Sequence, residues 1–248
     1  MGNSLQQETA IATRWSAVTE VASRLILPLV NMVLARLLTP DAFGVVATVT
    51  MIVSFAEILA DAGFQKYIIQ HKFDSEEKLN QSTDVAFWTN IAISIVLWVI
   101  IFVFSEQLAS LVGNPGLGNV VTTASLSLPI LAFSSIHISR FKRQMNFKSL
   151  FFVRIISALV PVFVTIPLAI ITHSYWALII GTIASNLSNA IVLGVRSEWK
   201  PKFFYSFTRL KEMLSYSWWV LLESVTTWMT SYSDTFIVSI SLSSYYIG

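Results

Sequence analysis

The sequence predicts an all-α membrane protein, a polytopic helical bundle that consists of one six-helix half and the first helix of a second half. Composition carries this prediction, because hydrophobic residues make up 54% of the 248-residue chain and charged residues only 12%. The mean hydropathy is +0.67. A soluble domain carries about 25% charged residues to hydrate its surface. The high apolar and aromatic content also excludes a disordered chain.

The apolar residues are gathered in stretches of about 20, the length that crosses a bilayer as an α-helix. Runs such as Ile91–Phe104 do not alternate with the period of two that transmembrane β-strands require. Turns such as Gly113-Asn114-Pro115-Gly116 separate the stretches, and Thr39 or Asp41 can cap the second helix. The seven predicted spans are Trp15–Leu38, Phe43–Phe64, Val85–Ser105, Asn119–Ser139, Phe152–Thr172, Tyr175–Val195 and Ser217–Ile240.

The positive charges predict which side of the membrane each loop faces, because cytoplasmic loops retain Lys and Arg. With the N-terminus inside, every Lys and Arg falls in a cytoplasmic segment except Arg24, within the first helix, and Arg36, in an outer loop. The N-terminus is therefore expected in the cytoplasm, without a cleavable signal peptide. The predicted order is a cytoplasmic N-terminus (1–14), a six-helix bundle (15–195), a cytoplasmic amphipathic linker (196–216) and the first helix of a second, truncated bundle (217–248).

The predicted linker mixes basic and aromatic residues between Lys200 and Tyr216. Such a stretch is typical of a segment that lies on the surface of the inner leaflet. It either anchors the linker or contacts the anionic head groups of lipids. The sequence leaves both interpretations open.

Ionisable residues inside the predicted spans cost about 2.5–3.5 kcal/mol each on insertion, so they are candidate functional residues. Glu20 and Arg24 have the i,i+4 spacing of an ion pair, and spare donors of Arg24 can bind a phosphate. Glu57 and Asp61 have the same spacing, but paired carboxylates disfavour double ionisation, which suits exchange of a proton or a sodium ion. Simple charge neutralisation by the first pair, and an interfacial position of Asp61, remain open. The candidate ion-coupling acids are Glu20, Glu57, Asp61, Glu223 and Asp234.

Pro28 is the candidate hinge of the first helix, because proline leaves the carbonyl of residue 24 without its helical partner. A broken helix beside a buried arginine resembles the sites that transporters build inside the membrane. Pro129, Pro161 and Pro167 predict further kinks. At 1.5 Å per residue, most of the charged candidates fall in the cytoplasmic half of the membrane, where they can gather in one cavity. These are Glu20, Arg24, Glu57, Asp61 and Glu223.

No catalytic, cofactor or metal site is predicted. The chain has no cysteine, and its three histidines lack the spacing of metal ligands. Gly-rich phosphate loops and hydrolase motifs are absent from the sequence. The net charge of +2 gives no indication of nucleic-acid binding. The triplet Asn186-Leu187-Ser188 matches a glycosylation signal but falls inside a predicted span. We therefore expect no enzymatic activity.

A weak internal repeat lays Trp15–Gly44 over Trp219–Gly248, with tryptophan at the start and glycine at the end of both segments. Transporters built from two parallel halves show this kind of repeat. The sequence therefore predicts that the chain contains one half and the first helix of another.

Five runs, taken together and in order, resemble those of the bacterial polysaccharide transporters. These are the O-antigen and colanic-acid exporters of the multidrug/oligosaccharidyl-lipid/polysaccharide exporter superfamily. The runs are VLARLLTPDAFGVVA (Val33–Ala47), ADAGFQKYIIQHK (Ala60–Lys72), FWTNIAIS (Phe87–Ser94), RQMNFKSL (Arg143–Leu150) and YWALIIG (Tyr175–Gly181).

The resemblance implies an inner-membrane flippase whose two six-helix bundles move undecaprenyl-pyrophosphate-linked oligosaccharide units to the periplasmic leaflet, driven by a gradient of H⁺ or Na⁺. It matches Asp61 to an acidic position of the family and Arg36 to a basic one. Arg24 and Arg36 are then the candidate residues for binding the pyrophosphate and sugar. The implied partners are membrane lipids, a polysaccharide polymerase and the missing second half.

Other functions remain open at this point. A drug or cation antiporter of the same superfamily needs an acidic cavity without a buried arginine, so Arg24 argues against it. A polytopic membrane transferase needs His or Asp clusters in sizeable loops, which the sequence lacks. A truncated, inactive fragment is the third alternative.

Overall fold

A computed structural model of the chain describes residues 2–241, with side chains from residue 11 onward except at 12, 22–24, 27, 240 and 241. This part of the chain contains eleven helices and no strand, which confirms the predicted all-α architecture. The helices are α1 (Gly2–Leu37), α2 (Pro40–Asp61), α3 (Phe64–Gln70), α4 (Glu76–Val103), α5 (Ser105–Leu111), α6 (Gly118–Ser125), α7 (Ser127–Arg143), α8 (Phe147–Phe163), α9 (Thr165–Thr172), α10 (Trp176–Arg196) and α11 (Phe207–Ser241).

Five helical segments within the described residues are long and apolar enough to cross a membrane, and they confirm five of the predicted spans. They are Pro40–Asp61, Glu76–Val103, Gly118–Arg143, Phe147–Thr172 and Trp176–Arg196. Large apolar side chains such as Val96, Phe102 and Ile171 are exposed on their outer faces. Such surfaces suit a protein that is surrounded by lipid rather than by water.

The other two predicted spans lie within α1 and α11, which are both longer than predicted. Helix α1 begins at Gly2, inside the predicted cytoplasmic N-terminus, and α11 begins at Phe207, inside the predicted linker. Glycine and proline are absent from 3–27 and from 207–241, so no residue of either type ends these helices early. In α1 only Pro28–Leu37 stands out as a short apolar helix. The end of the internal repeat, 242–248, lies outside the described residues.

Proline positions account for two of the breaks between helices. Helices α6 and α7 meet at Leu126, and α8 and α9 meet at Val164. Each break lies three residues before a proline, Pro129 or Pro167, where the ring removes a donor and crowds the preceding turn. The predicted kinks therefore appear there as interruptions. Pro28 and Pro161, in contrast, lie inside continuous α-helix.

One end of the bundle collects seven of the sixteen Lys and Arg residues, and we call it the basic end (62–75, 140–147 and 197–206). Nη1 of Arg143 donates to the carbonyl oxygens of Ile68 at 2.8 Å and His71 at 2.8 Å, which joins the ends of α7 and α3. Arg209 donates to Gln81 Oε1 at 3.2 Å, which joins the starts of α11 and α4. The described contacts thus place these segments together at one end of the bundle.

The connections at the other end of the bundle are held by polar contacts of their own. Asn114 Nδ2 donates to Thr48 Oγ1 at 2.8 Å. The carboxylate of Glu106 accepts from the backbone amides of Gly116 and Gly118. These contacts fix the loop between α5 and α6 over the start of α2, far from the basic end.

The segment before α11 (197–206) packs against α4 through hydrogen bonds and an aromatic contact. Asp84 Oδ1 accepts from the backbone N–H of Lys202 at 3.1 Å, and Trp88 Nε1 donates to the carbonyl of Lys202 at 2.8 Å. The Phe203 ring stacks on Trp88 with centroids 4.8 Å apart. Phe203 and Phe207 remain exposed, as expected for aromatic residues that lie at a membrane surface.

Candidate functional site

A small polar cavity lies between the spanning helices, and we call it the inner cavity. Its volume is about 230 Å³. Helices α2, α6, α7 and α10 surround it, and its apolar lining includes Val46, Val53 and Ile183. The polar residues that line it are Thr50, Ser54, Glu57, Ser127, Thr182 and Asn186.

Helical periodicity explains why these polar groups converge. Thr50, Ser54, Glu57 and Asp61 follow each other at three- or four-residue intervals, so they form one stripe along α2. Thr182 and Asn186 have the same i,i+4 relation on α10. Polar residues inside spanning helices are costly and usually face an interior site. The two stripes therefore form a polar path along the inner cavity, beside its apolar lining.

Glu57 and Asp61 place two carboxylates on consecutive turns of α2. Glu57 is half-buried and lines the inner cavity, while Oδ1 of Asp61 is buried and lacks a hydrogen-bond partner among the described residues. Their i,i+4 spacing makes simultaneous ionisation of both carboxylates unfavourable. An arrangement of this kind favours uptake of one cation or proton by the pair.

Asp61 also ends its helix in an unusual backbone setting. Ala62 and Gly63 both have positive φ, 46° and 80°, and reverse the chain into α3. A carboxylate at a helix C-terminus is opposed by the helix dipole. The amides of Gly63 and Gln65 and the charge of Lys142 lie near Asp61 and compensate for this.

Helix α11 covers one side of α2, next to the inner cavity. Trp228 Nε1 donates to Ser54 Oγ at 2.9 Å, and its ring lies 4.7 Å from that of Phe55. Glu223 forms an ion pair with Lys66 at 2.8 Å, and both side chains are largely exposed. The predicted coupling acid Glu223 is thus paired with a cation outside the inner cavity.

A second and larger cavity, the end pocket, opens at the basic end between α1, α7, α8 and α10. Its volume is about 370 Å³. An adjoining opening of about 580 Å³ shares Ser16, Glu20, Lys142 and Phe147 with it. The polar residues of the end pocket are Ser16, Thr19, Glu20, Lys142, Arg154, Ser157 and Asn189.

The charges of the end pocket come from three different helices. Glu20 of α1 lies 3.9 Å from Arg154 of α8, measured between Oε2 and Nη1. Lys142 of α7 lines both the end pocket and its opening. Two cations and one carboxylate therefore face a solvent-accessible space.

The structure separates residues that the sequence predicted in one cavity. Glu57 lines the inner cavity, Glu20 lines the end pocket, and Glu223 pairs with Lys66 on the far side of α2. Asp234 is exposed on α11, and its Oδ1 accepts from the backbone amide of Thr235 at 2.7 Å. The separation follows from the helix order, because α1 packs against α8 and α11 packs against α2.

The candidate binding residues lie apart from these acids or outside the described part of the chain. Arg36 is exposed in the last turn of α1, at the end opposite to the basic end. Pro28 lies inside α1 without interrupting it. The side chain of Arg24 lies outside the described residues, and so does any ion pair of Arg24 with Glu20.

Sequence analysis did not single out Lys142, Arg154 or Asn186. The two cations were counted only as loop charges, because they lie near helix ends where positive charge is expected on the cytoplasmic side. Asn186 was considered only as part of a glycosylation triplet. The i,i+4,i+7 spacing of Thr182, Asn186 and Asn189 was the signal that could have identified a polar face on α10.

Comparison with known proteins decides the family. A family profile described as "Polysaccharide biosynthesis protein" matches residues 33–248. The chain belongs to this family. The membership confirms the predicted resemblance to the polysaccharide exporters.

Three curated proteins are similar to the chain. The succinoglycan biosynthesis transport protein ExoT of Rhizobium meliloti is 26% identical over 84% of this chain and 41% of its own length. An uncharacterized membrane protein in the cps region of Klebsiella pneumoniae is 25% identical over 99% and 50%. The lipopolysaccharide biosynthesis protein WzxC of Escherichia coli is 23% identical over 95% and 48%.

The chain spans about half the length, or less, of these curated relatives. No solved structure matches it significantly. The names of these relatives point to transport rather than to catalysis. The names and the apolar helices together support a multi-pass protein of the bacterial inner membrane.

Proposed function

We propose that this polysaccharide biosynthesis protein takes part in moving lipid-linked oligosaccharide units across the bacterial inner membrane, as an ion-coupled flippase that works by alternating access. The names of its relatives support a role in polysaccharide export. The observation that carries the proposal is the polar path on α2 and α10, with Glu57 in the inner cavity and Asp61 one turn further along α2. The lipid carrier is undecaprenyl pyrophosphate, as the family resemblance implies.

In this proposal, Glu57 and Asp61 bind the coupling ion. The two carboxylates repel each other across one turn, and a proton or sodium ion that binds there relieves the repulsion. Binding and release of that ion change the charge of the inner cavity during each cycle. Glu20, Glu223 and Asp234 are secondary candidates, because the first two already face the cations Arg154 and Lys66.

The basic end faces the cytoplasm in this proposal, and the N-terminus lies on the same side. Arg143, Lys200 and Lys202 belong to the segments that meet there, and positive charge is retained on the cytoplasmic side of bacterial membranes. A lipid-linked substrate made in the cytoplasm then meets the end pocket first. Arg24, one turn beyond Glu20 in α1, keeps its proposed role in binding the pyrophosphate, and Arg36 keeps a proposed role at the opposite end.

The remaining units of the transporter are part of the same proposal. A second six-helix half supplies the other wall of the path, with residues 217–248 as its first helix, and a polysaccharide polymerase uses the exported units. The length of the relatives supports the need for a second half.

The substrate is tested with protein expressed from its complete gene and reconstituted in liposomes. We expect a fluorescent oligosaccharide linked to polyprenyl diphosphate to cross the bilayer faster than in protein-free liposomes. A cationic dye, offered to the same vesicles, should not be transported. Transport of the dye without transfer of the lipid-linked sugar would contradict the proposal and favour a drug antiporter.

A further inference from the structure

We infer that the end pocket binds the phosphate group of a phosphorylated lipid through Lys142 and Arg154. The inference deepens the proposed function and rests on it in naming a lipid as the ligand. The two cations belong to neighbouring helices, α7 and α8, and line the same space. Because both line one pocket of about 370 Å³, both can face a phosphate or diphosphate group that binds there.

Both cationic side chains have N–H donors that are available to a ligand. Among the described residues Lys142 makes no hydrogen bond or close ion pair, and its charge acts on the nearby Asp61 without direct contact. The contact of Arg154 with Glu20 is long, at 3.9 Å. More than half of the Arg154 side chain is exposed. Hydrogen bonds between cationic donors and phosphate oxygens are shorter and stronger than neutral ones. A phosphate that enters the pocket therefore replaces a weak contact with stronger ones.

Neutral polar groups in the wall of the end pocket also lack partners. Ser157 Oγ and Asn189 Oδ1 are buried and have no hydrogen-bond partner among the described residues. Both residues line the pocket beside the cations. Buried polar atoms are normally paired, so these two point to a ligand that fills the space. Ser157 can donate to a phosphate oxygen, and the Asn189 amide can pair with a hydroxyl of an attached sugar.

The surroundings of the pocket fit a lipid better than a free anion. Phe147, Leu150 and Val153 form its apolar wall, and Met145 at the opening is exposed. The volume of about 370 Å³ is within the usual range for ligand sites. Phe152 and Ile156 expose apolar surface on the same helix as Arg154. A hydrocarbon chain can therefore remain in the bilayer while its phosphate reaches the cations.

Farnesyl diphosphate is a suitable short lipid for the test. The protein is expressed from its complete gene and reconstituted in phosphatidylcholine nanodiscs. Calorimetry then measures the dissociation constant of farnesyl diphosphate. We expect Lys142→Gln and Arg154→Gln each to weaken binding about tenfold or more, as for loss of a charged hydrogen bond. Glu20→Gln should tighten binding, because it removes the competing carboxylate. Lys142→Arg keeps the charge and should bind nearly as well as the wild type.

Lys148→Gln is the matched control. Lys148 is an exposed cation near the same end, 5.9 Å from the Trp15 ring centroid, and it does not line the pocket. The control should bind like the wild type. Equal weakening by Lys148→Gln and Lys142→Gln would show nonspecific surface attraction and overturn the inference. If Lys142→Gln does not elute as a folded species, the comparison of Arg154→Gln with Lys148→Gln decides the inference.

Two further compounds separate the possible ligands. Farnesol lacks the diphosphate and should bind far more weakly than farnesyl diphosphate. Inorganic pyrophosphate lacks the chain and should also bind more weakly; equally tight binding would identify a site for free anions and overturn the lipid assignment. Binding is measured without an ion gradient, so its failure leaves the transport assay unaffected, and failure of transport leaves this measurement unaffected.

Discussion

At the scale of single residues, the two carboxylates of α2 are the groups whose charge is most costly to place within the membrane. Glu57 lines a cavity that is otherwise built from hydroxyl, amide and apolar groups, and Asp61 holds a buried oxygen without a hydrogen-bond partner in the described part of the chain. Each is expensive inside a membrane unless a proton, an ion or a cation compensates for it. The nearby charge of Lys142 compensates only the Asp61 side of the pair.

Gly181 provides a prediction at the same scale. A Cβ atom at this position would lie 1.8 Å from Thr165 Oγ1, so α10 approaches α9 too closely for any side chain. We expect Gly181→Ala to destabilise the protein by about 1–3 kcal/mol, because the buried Thr165 must move. Thermal unfolding in detergent, followed by size-exclusion fluorescence, measures the loss.

Thr165→Ala supplies the control for this prediction. It removes Oγ1 and Cγ2 of Thr165, the atoms 1.8 Å and 3.2 Å from the added Cβ. The double variant should therefore recover part of the stability that Gly181→Ala loses, as a double-mutant cycle will show. Unchanged stability of Gly181→Ala, or no recovery in the double variant, would show that the contact is not tight.

Sequence reasoning found some of the site residues and missed others for a physical reason. The i,i+4 spacing marks Glu57 and Asp61 without any structure, because one helix carries both. Lys142 and Arg154 belong to different helices, and only the packing of α8 against α7 and α1 shows that they face one pocket. Pairings between helices, such as Lys66 with Glu223, are equally hidden from a single sequence.

At the scale of helices, local signals predicted most of the architecture. Apolar length identified the spans, and Pro129 and Pro167 identified the interruptions at Leu126 and Val164. The start of α11 at Phe207 was not predicted, because aromatic and basic residues suit either a surface segment or a helix. Tertiary contacts settle the difference: Tyr216 donates to Gln70 Oε1 at 2.6 Å and holds this part of α11 on α3.

The orientation of the helices can be tested directly, because the chain has no cysteine of its own. Lys72→Cys lies at the basic end, and Gln107→Cys lies at the opposite end; both positions are exposed. In intact cells with a permeabilised outer membrane, an impermeant maleimide should label Gln107→Cys only. Labelling of Lys72→Cys alone would place the basic end in the periplasm and contradict the proposed orientation.

At the scale of the whole molecule, the described helices present two separate polar spaces, and α7 and α10 line both of them. The end pocket opens at the basic end, and the inner cavity lies further along α10, with Asn189 in the first and Asn186 in the second. In the proposed function, a head group that binds at Lys142 moves from there towards Glu57. This order of charges, cationic first and acidic next, suits an anionic substrate whose movement is coupled to a cation.

The most direct test of this account is the transfer of a fluorescent polyprenyl-diphosphate oligosaccharide in liposomes under an imposed proton or sodium gradient. The protein comes from its complete gene. We predict that one of the gradients accelerates transfer by the wild type and by Glu77→Gln, an exposed carboxylate of α4. Glu57→Gln, which removes the charge of the inner cavity, should lose that acceleration. Gradient-driven transfer by Glu57→Gln at the wild-type rate would contradict the central claim.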